Sequence, residues 1–427
     1  MSTPSLRSSS HFNKNLAIAG VFLALSFGLL VWVDLAYLMP IKKLDVPNLD
    51  NDLSLFWAGS RTIWQGGNPY NYAPNGLFRQ IAAEAGGPID TFVNPLYLTL
   101  IFMPLAAFPL KVASLLWLIL SQIILGISLT FILKATGEKL SPGVFLRALG
   151  LSLLWRYCFE VMILNNISLL MLFAIVASFH WSRTGKPFLA GAVASLLLLK
   201  PQIIFLILPL LLVMPTSEDG SKFSSSGWLN QCTYRRWFGF IAAALVLALY
   251  SFVIMPDWIS RWLQAASERV DPRFNSEMTS VRSLVALVIT DDKLIPLVYG
   301  AVAVLGSAAL IGLWWVNRNN ARYFPFLLST FIAGNLLVAP YTRSYDFSLL
   351  LFPLIYLYFT ERRLENEKAG QKTGFSWTIL WWPLVLFPWG LHLIAVRTTF
   401  AWENLIPGLL LVITLLVWRR QAARPVN

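Results

Sequence analysis

Charge is scarce in this sequence. Aspartate, glutamate, lysine and arginine make up 13% of its 427 residues, against 57% hydrophobic residues, a balance outside the range of soluble globular domains. Histidine and cysteine are scarcer still. The three histidines, His11, His180 and His392, are scattered, with no accompanying carboxylates arranged as a metal site, so a protein-built transition-metal centre is not expected. Cys158 and Cys232 lie far apart, without metal spacing or a CxxC motif, and read as packing residues. No glycine-rich phosphate loop opens a helix after a strand, which argues against a nucleotide sugar or ATP as direct substrate. There is no internal repeat, and no low-complexity segment beyond the Ser-rich patch at 221–226.

What the sequence does have is apolar runs of about 20 residues, each long enough to cross a hydrocarbon core of roughly 30 Å as a helix. Lipid offers the backbone no hydrogen-bond partners, and continuous apolar runs do not fit the alternation of a barrel strand, so the fold class is all-α and polytopic. The net charge of +12 would suggest nucleic acid in a soluble protein. Here the basic residues sit in short loops between apolar runs, which is the positive-inside signature, and no nucleic-acid partner is expected. The 18 Trp and 29 Phe suit interface belts and lipid-facing packing.

A polar tail at 1–15 precedes an apolar run at 16–38 that reads as a signal anchor. Lys111, Arg235 and Arg236, Arg318 and Arg322, Arg362 and Arg363, and Arg419 and Arg420 flank the ends of later runs. Placing them in the cytoplasm gives spans near 16–38, 94–109, 112–134, 145–164, 166–181, 188–214, 238–255, 295–316, 323–338, 346–360, 376–394 and 404–418. That is about twelve crossings in a single transmembrane domain at 16–418, with a second cytoplasmic tail at 419–427. This count puts the small basic loop of Arg183 and Lys186 outside, against the charge rule. An alternative folds 188–214 as a helical hairpin broken at Lys200-Pro201, because proline disfavours helix in the residue before it.

Two non-cytoplasmic loops, 39–93 and 256–294, are long and polar, and long loops in compact proteins are usually functional or disordered. In the first, Phe56-Trp57 and Ile63-Trp64 flank Arg61 at helical spacing, which predicts a short amphipathic helix in the membrane interface. The loop is charge-balanced, so it is not a basic arm for anionic lipid. It also carries Asp50 and Asp52 just past the first span. A carboxylate there can act as general base on a hydroxyl acceptor while a lipid-linked donor stays in the bilayer. Equally, Asp52 before an apolar-periodic run fits a helix N-cap.

The segment Asp52-Leu53-Ser54-Leu55-Phe56-Trp57-Ala58-Gly59 is followed by Gly66-Gly67-Asn68-Pro69-Tyr70, Asn94-Pro95, and Pro104-Leu-Ala-x-Phe-Pro109. Further along come Asn166, Gly191 to Lys200-Pro201, and Ala339-Pro340 through Asp346-x-x-x-Leu-Leu-x-Pro353. This ordered set resembles glycosyltransferase family 87 of the GT-C superfamily, which includes polyprenyl-phosphomannose-dependent mannosyltransferases. The resemblance implies a GT-C fold and Asp52 as the catalytic base, with Asp50 as the fallback. It also implies inverting transfer of a hexosyl residue, commonly mannosyl, from a polyprenyl-phosphate carrier to a glycolipid or glycan. Such a reaction runs at the non-cytoplasmic face of the plasma membrane and needs no cofactor; a divalent ion is possible but not indicated.

A departing polyprenyl phosphate needs charge stabilisation more than a proton, which directs attention to cations. Arg343, at the outer mouth between two spans, has a planar fork suited to phosphate; the plainer alternative is a local pair with Asp346. Lys200 lies within an apolar run, where a charge is a functional hypothesis by default, with a structural pair as its alternative. Arg282 matches a loosely patterned family loop, with a structural role as its alternative, and the family pattern also carries Tyr70 and Asp346 into the substrate-binding set. Members of the family often have a histidine in the Arg343 stretch; this sequence has none. Arg156 and Glu160, four apart in an apolar run, are expected to form a structural ion pair. A transporter or lipid flippase, or a ligase or polymerase of lipid-linked polysaccharide, shares the multispan layout. Transporters, however, favour repeats and midplane sites, which are not evident here.

Overall fold

The computed structural model describes residues 52–73, 75–84, 92–214, 231–268, 278–367, 381–398 and 402–422, with the isolated positions 24, 28 and 31. The expected first span at 16–38 and the candidate Asp50 thus fall outside the described residues, apart from those three positions. Every regular element among the described residues is helical. Five helices are long and apolar enough to cross a membrane: Leu110–Thr136, Gln231–Ile254, Leu294–Asn317, Ala321–Val338 and Trp402–Ala422. Shorter apolar helices, among them Pro142–Leu154 and Ser168–Arg183, fill in between. The chain is an all-α polytopic membrane protein.

The helix ends sort into two sets. At one end Lys134, Arg183, Arg322, Arg363 and Gln421 surround a common cavity, and Arg363 Nη1 donates to the Thr136 carbonyl at 3.0 Å. This is the basic end. The loop of Arg183 and Lys186, which the span count had placed on the far side, therefore joins the other cations and obeys the charge rule.

The reason is the stretch after it. Pro187–Ala194 and the 3-10 turn Ser195–Leu199 run away from the basic end; the chain breaks at Lys200 (φ −134°, ψ 70°), and Pro201–Ile203 and Ile207–Leu212 follow. Arg236 shows that the second arm returns. Its backbone lies against Gly191 near the start of the first arm, while its guanidinium donates to the carbonyls of Leu211 (2.8 Å) and Met214 at the end of the second. So 188–214 is the hairpin, not a single span. Its unwound backbone is satisfied from outside, as a dry environment requires. Asn335 donates to the Ile203 carbonyl (2.5 Å) and accepts from the Leu206 N–H (3.0 Å), and the Tyr97 hydroxyl donates to the Leu198 carbonyl (2.7 Å).

The expected span at 94–109 is a second correction. Its helix is only Leu98–Ala106, with Pro104 inside it, so it reaches about 14 Å, half of a hydrocarbon core or less. It packs instead on Asp52–Trp64, where Arg61 Nη1 donates to the Ala106 carbonyl at 2.6 Å and Trp57 Nε1 to the Phe108 carbonyl at 3.0 Å. Leu110–Thr136 then runs about 40 Å to the basic end, which puts Lys111 at the opposite end from Arg363. The Asp52–Trp64 helix forms where a helix was expected. Its residues are buried nearly all round, from Leu53 to Ser60, so protein encloses it and it presents no single face to lipid.

The first hairpin arm and Gln231–Ile254 cross at two glycines. A Cβ at Gly191 would sit 1.9 Å from the Arg236 carbonyl oxygen, and one at Gly239 would sit 2.1 Å from that of Phe188. Small residues let helix backbones touch, which is a main source of helix association in lipid. Gly191→Ala is expected to destabilise the protein by about 1–3 kcal/mol through overpacking, read as a lower melting temperature in detergent. An unchanged melt would mean that the two helices separate at little cost.

Candidate active site

At the end opposite the basic one, a cavity of about 270 Å³ is lined by residues that include Asp52, Asn94, Asn166, Lys200, Gln202, Trp262, Tyr341 and Tyr345. Three local structures deliver its polar groups. The Arg156–Ile163 helix stops in a Schellman pattern: Asn166 N–H bonds to the Val161 carbonyl (3.0 Å), Asn165 N–H to that of Met162 (3.3 Å), and Asn165 takes φ +51°. Asparagine tolerates that left-handed conformation. The stop places Asn166 just ahead of Ser168–Arg183, and the Leu164 carbonyl beside it accepts from the Asp52 N–H at 3.1 Å. The hairpin break supplies Lys200. The 3-10 turn Ser344–Leu350 supplies Asp346, whose Oδ2 accepts from the Arg343 backbone N–H at 3.1 Å.

These groups join in one network. Lys200 Nζ donates to Asp346 Oδ1 (2.8 Å), Asn166 Oδ1 (2.9 Å) and Ser168 Oγ (3.2 Å). Asn166 Oδ1 also accepts from the Ser168 N–H at 2.9 Å. With that oxygen committed to donors, the amide has one orientation, and its Nδ2 donates to the Asp52 carboxylate. Lys200 and Asp346 are 7% and 1% exposed, so each needs the other to offset desolvation. The Tyr345 ring adds a face 4.6 Å from the ammonium. Asp52 lies in the first helical turn, where the helix dipole also favours its charge.

The structure thus brings together Asp52, Lys200 and Asp346. Tyr70 stands just behind the cavity, with its hydroxyl donating to the Asn94 carbonyl at 2.7 Å; burial pushes its phenol up, so it stays protonated and serves as a donor. Arg343 is not among the cavity-lining residues; its guanidinium lies 5.9 Å from the ring of Tyr341, which is. Arg282 is not among the cavity-lining residues. Its segment is tied to the rim through Thr279 N–H and the Thr342 carbonyl (3.1 Å). Arg156 and Glu160 form the expected pair at 3.0 Å, but it is not self-contained. Arg156 also meets Glu403 at 3.0 Å, and Glu160 accepts from Ser344 Oγ at 2.5 Å, so the pair fastens the turn that carries Asp346. Among the described residues, no group of three or more His, Cys, Asp or Glu is placed to hold a metal.

Sequence reasoning noted Asn166 only as part of a pattern and passed over Ser168, Gln202, Trp262 and Tyr345. A polar Asn-Asn-x-Ser stretch between two apolar helices was the available signal for the first two.

No curated protein and no solved structure matches the chain. Glycosyltransferase family 87 matches residues 92–340, more than half of the sequence. The matched stretch includes Asn94, Asn166, Lys200 and Arg282, and it stops short of Asp52 on one side and Arg343 and Asp346 on the other. The match covers the larger part of a helical membrane protein, and the chain belongs to glycosyltransferase family 87.

Proposed function

We propose that this membrane glycosyltransferase moves a hexosyl residue, mannosyl by the family's commonest association, from a polyprenyl-phosphate carrier to a hydroxyl of a glycan or glycolipid. Asp52 takes the proton from the attacking hydroxyl, the oxygen attacks the anomeric carbon, and the carrier phosphate leaves from the opposite face with inversion. The observation behind this reading is that, among the described residues lining the cavity, Asp52 is the one carboxylate, and it accepts from an Asn166 amide nitrogen that cannot itself take up a proton. One such base suffices when the leaving group is a phosphate.

The charge rule assigns the basic end to the cytoplasm and hence the cavity to the outer face of the plasma membrane. Lys200 directs its three N–H bonds to Asn166, Ser168 and Asp346, which favours Arg343 as the group that meets the carrier phosphate. Lys200 then acts by positioning Asn166 and, through it, Asp52.

Purified protein in nanodiscs, given radiolabelled polyprenyl-phosphate-mannose and a membrane extract as acceptor, is expected to pass label to the extract and release polyprenyl phosphate. Transfer from GDP-mannose in the absence of the lipid-linked donor would reject the donor assignment.

A further inference from the structure

We propose that a second cleft, separated from the Asp52 cavity by one helix, binds the acceptor and is built for an oligosaccharide without net charge; this rests on the reading that transfer takes place in the Asp52 cavity. Trp258–Glu268 forms the partition. Its Trp262 and Ala266, four residues apart, line the Asp52 cavity. Arg261, Gln264 and Glu268, at steps of three and four, line the second cleft, which has a volume of about 410 Å³. Steps of three and four put each set on its own helical stripe. The far wall of the cleft comes from the first loop, including Asn68, Tyr70 and Asn71.

Each wall of the cleft is fastened to the active site. Trp262 Nε1 donates to the Val93 carbonyl (2.8 Å), and the Tyr70 hydroxyl to that of Asn94 (2.7 Å); Val93 and Asn94 both line the Asp52 cavity. A chain lying in the cleft would therefore have its end within reach of that cavity.

The hydrogen-bonding valences that remain in the cleft identify the ligand class. Asn68 Oδ1 accepts from the Tyr70 N–H (2.9 Å) and Asn71 Oδ1 from the Ala73 N–H (3.1 Å), so each amide keeps its NH₂ as a donor. Gln264 Nε2 donates to Glu268 Oε1 (2.8 Å), which leaves the Gln264 carbonyl and the second Glu268 oxygen as acceptors. Arg261 Nε is engaged by Asp257 (2.6 Å), and its terminal nitrogens remain as donors. Sugar hydroxyls both donate and accept, and a mixed set of this kind matches them. Among the described residues that line the cleft the charged ones are Arg261, already paired with Asp257, and Glu268, so they offer a polyanionic acceptor no net positive charge.

The test is an array of neutral and anionic oligosaccharides probed with labelled protein in nanodiscs. Wild type and Asp52→Asn are expected to retain neutral mannose oligosaccharides. The Asn71→Ala/Gln264→Ala pair, on exposed positions with an unaltered melt, is expected to retain them about tenfold less well. Equal retention by the double variant, retention of anionic glycans only, or no retention by wild type would each overturn the proposal. An Asp52→Asn protein that transfers sugar at full rate would reject the base assignment and leave the cleft result standing.

Discussion

Asp52→Asn is expected to lower kcat for sugar transfer by roughly 10²–10⁴-fold while leaving the donor KM near its wild-type value. Asparagine has nearly the size of aspartate, and its side-chain oxygen can still accept from Asn166 Nδ2, the contact that holds Asp52 in place. What it loses is the capacity to take a proton. The damage therefore falls on the chemical step, and the thermal melt stays close to wild type. Steady-state kinetics with the lipid-linked donor, alongside the melt, checks both halves. Transfer within a few-fold of wild type would return Asp52 to the role of helix-terminal acid that its position in the first turn also suits.

The second large effect concerns Lys200. Lys200→Met leaves the Asp346 carboxylate, 1% exposed, without its cation, and breaking a buried pair in this way costs roughly 3–5 kcal/mol. Asp346→Leu alone is expected to cost a similar amount. The double variant, which removes both charges, should fall well short of the sum, because the two residues share one interaction. Melting temperatures in detergent for the four proteins complete the cycle, and strict additivity would show that the 2.8 Å contact contributes nothing.

Kinetics separates the two roles open to the lysine. If Lys200 orients Asn166, any folded Lys200→Met protein loses kcat at unchanged donor KM. If it grips the carrier phosphate instead, donor KM rises.

Much of this architecture could be read from apolar runs and the side on which cations gather. The hairpin was legible because Lys200-Pro201 interrupts an otherwise continuous run, and the misplaced loop of Arg183 was flagged by its own charge. The 94–109 stretch was not legible. Its composition is that of a span, and only the packing of Leu98–Ala106 onto Asp52–Trp64 shows that its apolar surface is spent on protein. The same holds for the site. Asp52 and Lys200 stood out singly, as an acid after a span and a charge inside one. Their connection runs through Asn166, 114 positions from Asp52, and hydropathy patterns carry no information about contacts at that separation. Trp258–Glu268 was hidden for a further reason: it was read only as part of a long polar loop, and its two stripes acquire meaning when there is a cavity on each side.

The fixed orientation of the Asn166 amide has a consequence for how protons travel. An amide nitrogen has no lone pair to offer, so Asn166 insulates Asp52 from the lysine and carboxylate beyond it. A proton captured on Asp52 therefore does not pass through Asn166 to Lys200 or Asp346. Acting as a base, Asp52 would have to shed its proton by a route other than that amide, and the cavity it lines offers one.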